Sequence, residues 1–292
     1  MSLKDHALLV SLSVSKPQMT QTDRKATQDA EAANDAHGAG KYRKDLYPRA
    51  LVQPIITVES SARAYIDSTT YRWDRGADLL PTARFMTFAE RMSKFEVEFN
   101  QAVTAFLNNW TNVMLTAQQS QGALFDQSVY PDVTELRDQF RWRVVYRPVT
   151  DMGDFRVSLQ ETELDTLRSQ VEAAARESVE AMLRSPLERL RRVVLRLNEA
   201  TGKPDREVVD KRGATVVKSP IFRDSLVENI IEEINLLHDF ADVLPDDMLA
   251  LGKNIIDTVP RAQTLRDDPD KRRDIHTQSA GLLAAIDSML ED

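Results

Sequence analysis

Four histidines, His6, His37, His238 and His276, are the first residues to consider for metal binding or proton transfer, and no two stand at ligand spacing. There is no His-Glu-x-x-His, no Walker loop, no Gly-x-Gly-x-x-Gly and no Gly-x-Ser-x-Gly elbow. The chain has no cysteine, which removes thiolate metal sites, iron–sulfur clusters, disulfides and cysteine nucleophiles together. The acid-rich stretch RDDPDKRRD (Arg266–Asp274) interleaves four acids with four basic residues, which suits a solvated turn ahead of a helix better than a cation site. The expectation is therefore no catalytic residue, no cofactor and no metal. A hydrolase built from scattered carboxylates is the weakest alternative.

The remaining chemistry is electrostatic. RSPLERLRRVVLR (Arg184–Arg196) holds five arginines against Glu188 alone. Asp224–Asp247 holds eight acids and no lysine or arginine. If these segments fold back as an antiparallel hairpin, Arg189 meets Glu232 and Glu233, and Arg196 meets Glu228. Exposed pairs of this kind are worth about 0.2–1 kcal/mol each, so they would select register more than supply stability. The competing reading is a nucleic-acid surface. Its candidate contacts, or those to a protein partner, are Arg141, Arg143 and Arg147 on one face of a strand, Arg189 and Arg192 on the basic helix, and Lys211 and Arg212 at the hairpin tip.

These groups need elements to carry them. In ALLVSLSVS (Ala7–Ser15) apolar residues alternate with serines, the period of a half-buried strand and not the unbroken run of a signal peptide. FRWRVVYRPV (Phe140–Val149) alternates in the same way, and DFRVSL (Asp154–Leu159) follows as a third strand of a small antiparallel sheet. Helices are expected over Asp23–Asn34 and Ala50–Ser68. Ala83–Ser120 forms a further long helix, with Phe85, Phe88, Met92, Phe95, Phe99, Val103, Phe106, Trp110 and Val113 on one continuous face. That aromatic stripe follows the helical period and carries no interleaved basic residues, which marks it as core. YRWDRGADLLPT (Tyr71–Thr82) is expected to be a loop anchored by Trp73, Leu79 and Leu80.

From Glu161 the chain is helical almost to its end. Pro186 interrupts one helix, and Ser185 starts the next as a capping box. The break 201–220 is the hairpin tip, either a β-hairpin, a disordered loop or a partner-binding loop. Asp224–Leu244 carries Val227, Ile230, Ile234, Leu237, Ala241 and Leu244 at heptad steps. Shorter helices follow at Asp246–Val259 and Asp270–Leu290. The fold class is thus α+β, mainly α-helical: a small antiparallel sheet, long helices and a protruding antiparallel helical hairpin. A mixed domain spans 1–160 and a helical region 161–292.

With 292 residues, 42% of them apolar and 29% charged, the composition is globular. The net charge of −8 repels nucleic acid unless a local patch overrides it. No segment approaches the ~18 apolar residues of a membrane span, so a location in the cytoplasm, away from membranes, is expected.

The ordered signatures DHALLVSLSVS, DRKAT, WDRGADLLP, YPDVTELRDQF, GDFRVSL and FRDSLVENI resemble an uncharacterised family of tailed bacteriophages and prophages. The resemblance covers most of the chain. That family carries an aromatic and basic signature after its first strand, and SKPQMTQTDRKAT departs from it here. Its members are often encoded near MoxR/CobS-like AAA ATPases and von Willebrand A-type proteins. The resemblance implies a non-enzymatic, phage-encoded interaction or assembly protein in the host cytoplasm. Such a protein would scaffold a complex, serve an AAA ATPase or bind a host defence protein; the narrow apolar seams of the hairpin helices, and the serine-lined opening strand if it lies at a sheet edge, add the expectation of a homo-oligomer. The alternative is a nucleic-acid-binding protein of phage replication or recombination.

Overall fold

The computed structural model describes residues 3–74, 76–149, 161–209, 215–218 and 220–291. The first half runs α1 (Leu3–His6), β1 (Ala7–Ser15), β2 (Thr20–Thr22), α2 (Arg24–Ala33), β3 (Arg43–Asp45), α3 (Arg49–Thr69), β4 (Tyr71–Arg72) and β5 (Asp78–Pro81). There follow α4 (Phe85–Asn108), α5 (Trp110–Gln121), α6 (Val133–Gln139), β6 (Arg141–Pro148) and α7 (Glu161–Thr201). The chain ends with β7 (Arg206–Val209), β8 (Thr215–Lys218), α8 (Asp224–Asp239), α9 (Asp246–Thr258), α10 (Ala262–Asp267) and α11 (Pro269–Glu291). This is an α+β, mainly helical fold. Its main sheet has the order β4-β5-β1-β6, and β2-β3 and β7-β8 form two separate antiparallel ribbons.

The chain forms two compact units. One comprises Met1–Val10, Ser68–Phe85 and Tyr146–Asp292; the other comprises Ser11–Asp67 and Met86–Val145. The expected boundary at residue 160 and the expected strand Asp154–Leu159 lie outside the described residues.

In the first unit the expected loop Tyr71–Thr82 contains two short strands. Leu79 pairs with Tyr71 on one side and Leu9 on the other, and Leu79 and Leu80 are fully buried. Strands of two and four residues offer too few alternations to be read locally; pairing with β1 creates them. Pro186 does not end a helix either. The α7 helix passes through it, with Met182, Leu187 and Leu190 buried on either side. Their burial, at about 1.5–3 kcal/mol per side chain, outweighs the roughly 3 kcal/mol that an internal proline costs. Ser185, expected as a cap, instead accepts a hydrogen bond from Arg72 N at 3.4 Å.

The α7–α8 hairpin forms as expected. The β7–β8 ribbon sets residue 206 opposite 218, so α8 starts close to where α7 stops. Arg189, 12 residues before the end of α7, contacts Glu233, nine after the start of α8. Those offsets are about 18 and 14 Å along each axis, so the helices run antiparallel. The hairpin does not protrude. Leu190, Val194 and Leu197 of α7 share one core with Ile230, Ile234 and Leu237 of α8, Leu251 and Ile255 of α9, Leu265 of α10, and Ile275 and Ile286 of α11. Arg191 pairs with Asp287 at 2.5 Å, and Asn198 Nδ2 donates to Ser279 Oγ at 2.9 Å, fastening α11 along α7. The expected helix to Leu244 stops at Asp239, after which Phe240 and Leu244 bury themselves in a turn.

In the second unit Asp23 caps α2, accepting from Ala26 N at 3.0 Å. Most of the expected stripe is core: Phe88, Met92, Phe95, Phe99, Val103, Phe106 and Val113 are buried, while Phe85 and Trp110 at its two ends are half-buried. The expected single helix Ala83–Ser120 is broken at Asn109. Its amide is shared between Ala105 O and Phe106 O, both at 3.2 Å, and its φ/ψ of −95°/18° leaves the helical well. The break re-aims Trp110 toward Tyr47 and Tyr130.

Candidate functional site

Of the described basic residues singled out by sequence, Arg141 and Arg143 belong to the second unit and Arg147, Arg189 and Arg192 to the first. Arg189 is structural: its Nε and Nη2 donate to the two carboxylate oxygens of Glu233 at 2.7 and 2.8 Å, and Nη1 donates to Thr70 O at 2.8 Å. Its guanidinium lies 5.5 Å from the centre of the Tyr71 ring. Burial raises the Tyr71 phenol well above its usual range, against the opposing pull of Arg189. Arg184 pairs with Glu188 on its own helix and Arg191 with Asp287. Arg192 and Arg196 are exposed and carry no ion pair among the described residues, so the expected Arg196–Glu228 contact is absent. Arg141, Arg143 and Arg147 are exposed along β6, and Arg141 Nε donates to Asp138 O at 3.1 Å. Lys211 and Arg212 lie outside the described residues.

The acid-rich stretch before α11 is a capped turn. Asp268 accepts from Asp270 N and Lys271 N at 3.0 and 2.9 Å. Arg272 was not distinguished by sequence, yet it is buried and bonded to Leu265 O, Arg266 O and Asp205. Among the described residues no three His, Asp or Glu side chains gather as metal ligands. His276 Nδ1 lies 3.0 Å from Asn198 O, and His6 lies 3.3 Å from Asp242.

A concave surface of the second unit lies around Tyr130–Pro131–Asp132. These three residues form a ridge between two clefts. One, of about 440 Å³, is lined by Pro17, Gln18, Tyr47, Glu135 and Gln139 with the ridge. The other, of about 620 Å³, is lined by Trp110, Met114, Leu115, Gln118 and Phe125 with the ridge. Tyr130 fixes the geometry. Its hydroxyl donates to Leu46 O and accepts from Gln121 Nε2, both at 2.7 Å. Its ring stacks on Phe125 at 5.5 Å and meets Tyr47 edge-on at 5.8 Å. Burial, with Tyr130 beside it, pushes the Tyr47 phenol up to about 12.

Two aspartates shape the turns that hold the ridge. Asp126 accepts from Ser128 N and Oγ at 2.9 and 2.7 Å, and Asp132 accepts from Thr134 N at 2.8 Å to cap α6. The Ser128 hydroxyl holds the Asp126 carboxyl below its usual range, and the Thr134 amide does the same for Asp132. Behind the ridge, Lys44 is buried, bonded to Leu124 O and paired with Asp23 at 3.1 Å. Gln121 Oε1 and Trp142 Nε1 are buried without a hydrogen-bond partner among the described residues.

Sequence reading missed this site because its walls come from residues 17–21, 46–47 and 110–139. The one local signal was YPD, an aromatic, a proline and a helix cap set between helices, at the head of a stretch quoted only for resemblance.

No protein-family model, no curated protein and no solved structure matches this chain.

Proposed function

We propose that the chain is a non-enzymatic interaction and assembly protein that binds a protein partner at the clefts flanking Tyr130–Asp132. The observation that carries this is Leu115. It is 53% exposed and lines a cleft together with the rings of Trp110, Phe125 and Tyr130, the last fixed by two hydrogen bonds through its hydroxyl. Large apolar side chains beside aromatic rings, with Asp132 and no lysine or arginine lining the cleft, suit a partner surface better than a reaction centre. The ordered signatures of the tailed-phage family support placing that partner in an assembly of the infected host cytoplasm, with an AAA ATPase or a host defence protein as candidates.

The test is site-specific photo-crosslinking in the cell that carries the gene, with the probe at Leu115 and, as control, at Met86, which is 76% exposed. A discrete protein adduct from Leu115 alone is expected. No adduct, or the same adducts from both positions, overturns the reading.

A second reading has one observation in its favour. Arg141, Arg143 and Arg147 are exposed along a single strand, at a spacing that suits a phosphate backbone. A DNA or RNA mobility shift that weakens with salt and disappears on reversing the three arginines supports it; no shift at low salt removes it.

A further inference from the structure

We infer that the cleft between α5 and the Phe125–Val133 segment takes an extended, proline-containing stretch of the partner that carries a basic residue. This rests on the interaction reading and names the partner's chemistry. Three features of the cleft converge on it.

The first is shape and surface. Trp110, Phe125 and Tyr130 present ring area, and Pro131 continues it along the ridge. Polyproline-type segments dock in aromatic-lined grooves because proline rings pack flat on aromatic faces and the extended helix is already ordered. Gln118 and Gln127 interrupt the apolar surface. An amphipathic helix would want a continuous apolar trough there.

The second is hydrogen bonding. An extended proline-containing segment makes no internal hydrogen bonds, so its carbonyls need donors. Gln118, Gln127 and Thr111 line the cleft and each carries one.

The third is charge. Asp132 is the only carboxylate lining this cleft; Glu135 lines the adjoining one, and no lysine or arginine lines either. The carboxylate of Asp132 is held in its charged form by the Thr134 amide. A fixed negative charge with no cation of its own beside aromatic rings is complementary to a ligand cation, which gains the carboxylate and a ring face together.

The test is fluorescence anisotropy on the full chain with three labelled decapeptides of proline and alanine, bearing a central arginine, alanine or glutamate. The arginine peptide is expected to saturate below about 1 mM and to bind about tenfold tighter than the glutamate peptide. D132N keeps the cap, because asparagine caps as well as aspartate, and removes the charge. It should weaken the arginine peptide about fivefold and leave the alanine peptide unchanged. L115K, at an exposed position, should weaken all three, with unchanged circular dichroism showing an intact fold.

Failure of the arginine peptide to saturate, equal binding of arginine and glutamate peptides, or tighter binding of a basic amphipathic helical peptide overturns the inference. So does a dimer in light scattering that L115K dissociates, since the occupant is then a second copy. If a partner captured at Leu115 contacts the cleft through a segment without proline or a basic residue, this inference fails while the interaction reading stands.

Discussion

Arg189 and Glu233 meet through two parallel hydrogen bonds, 2.7 and 2.8 Å long, at side-chain exposures of only 12% and 18%. With so little water to screen it, this is the pair that sets the register of α7 on α8. Removing one partner strands the other in a site it cannot leave.

R189M is therefore expected to cost about 3 kcal/mol, because it abandons the Glu233 carboxylate and the Thr70 carbonyl together. E233Q should cost less, since the amide still accepts one bond. The double variant R189M/E233L should recover much of the loss, because an apolar pair of similar volume leaves no buried charge. Urea unfolding of the parent protein, R189M, E233L and R189M/E233L forms the cycle, with E233Q measured beside it. A loss below about 1 kcal/mol for R189M would mark an ordinary surface pair.

That pair also shows what a sequence exposes. Opposite charge on two amphipathic segments joined by a break is visible without coordinates, and so are the periods of α4, α8, α9 and α11. Decisions made by distant packing are not visible. Pro186 carries a local stop signal that the core around Met182 and Leu190 overrides. Asn109 carries no strong one, yet the chain turns there to seat Trp110. The narrow stripes of α7 and α8 suggested arms in search of a neighbour, but α11 of the same chain covers them. The clefts around Tyr130 were invisible for the same reason: each wall is ordinary alone.

On the acid side, Glu59 should matter. Burial pushes its carboxyl up, but hydrogen bonds from Lys16 and Arg63 outweigh this and hold it below its ordinary range. A depressed carboxylate binds fewer protons folded than unfolded. Its contribution is full above the usual glutamate range and is lost as pH falls through the folded value. E59Q should lower the melting temperature at pH 7, and the gap should close toward pH 3. A gap that persists at low pH would mean that Glu59 acts through shape and not charge.

The alkaline limb has the opposite sign. Tyr47 titrates near 12 when folded, above the roughly 10 of an unfolded tyrosine. Between those values the unfolded chain has released a proton that the folded one keeps. Stability contributed by Tyr47 is thus intact below pH 10 and falls by up to ~1.4 kcal/mol per pH unit above it. Y47F should flatten that decline for the unit containing Ser11–Asp67 and Met86–Val145. Equal alkaline slopes in the two proteins would count against it.

Two glycines separate helix propensity from packing. Both lie inside helices at negative φ, so alanine is conformationally acceptable at either and should gain about 0.5–1 kcal/mol if nothing else changes. At Gly281, in α11, an added Cβ meets nothing within 4 Å. At Gly252, in α9, it would come to 2.7 Å from Leu237 Cδ2. Leu237 is fully buried, so its methyl can yield only by moving among other core side chains. Overpacking of this kind costs about 1–3 kcal/mol, more than the propensity gain. G281A should stabilise by up to about 1 kcal/mol, and G252A should destabilise by a similar amount. Adding L237A to G252A should cost less than L237A alone, because the new methyl fills part of the cavity. Denaturant midpoints for the single and double variants decide the matter. If G252A stabilises as G281A does, α8 and α9 are not packed as closely as the Leu237–Gly252 approach requires.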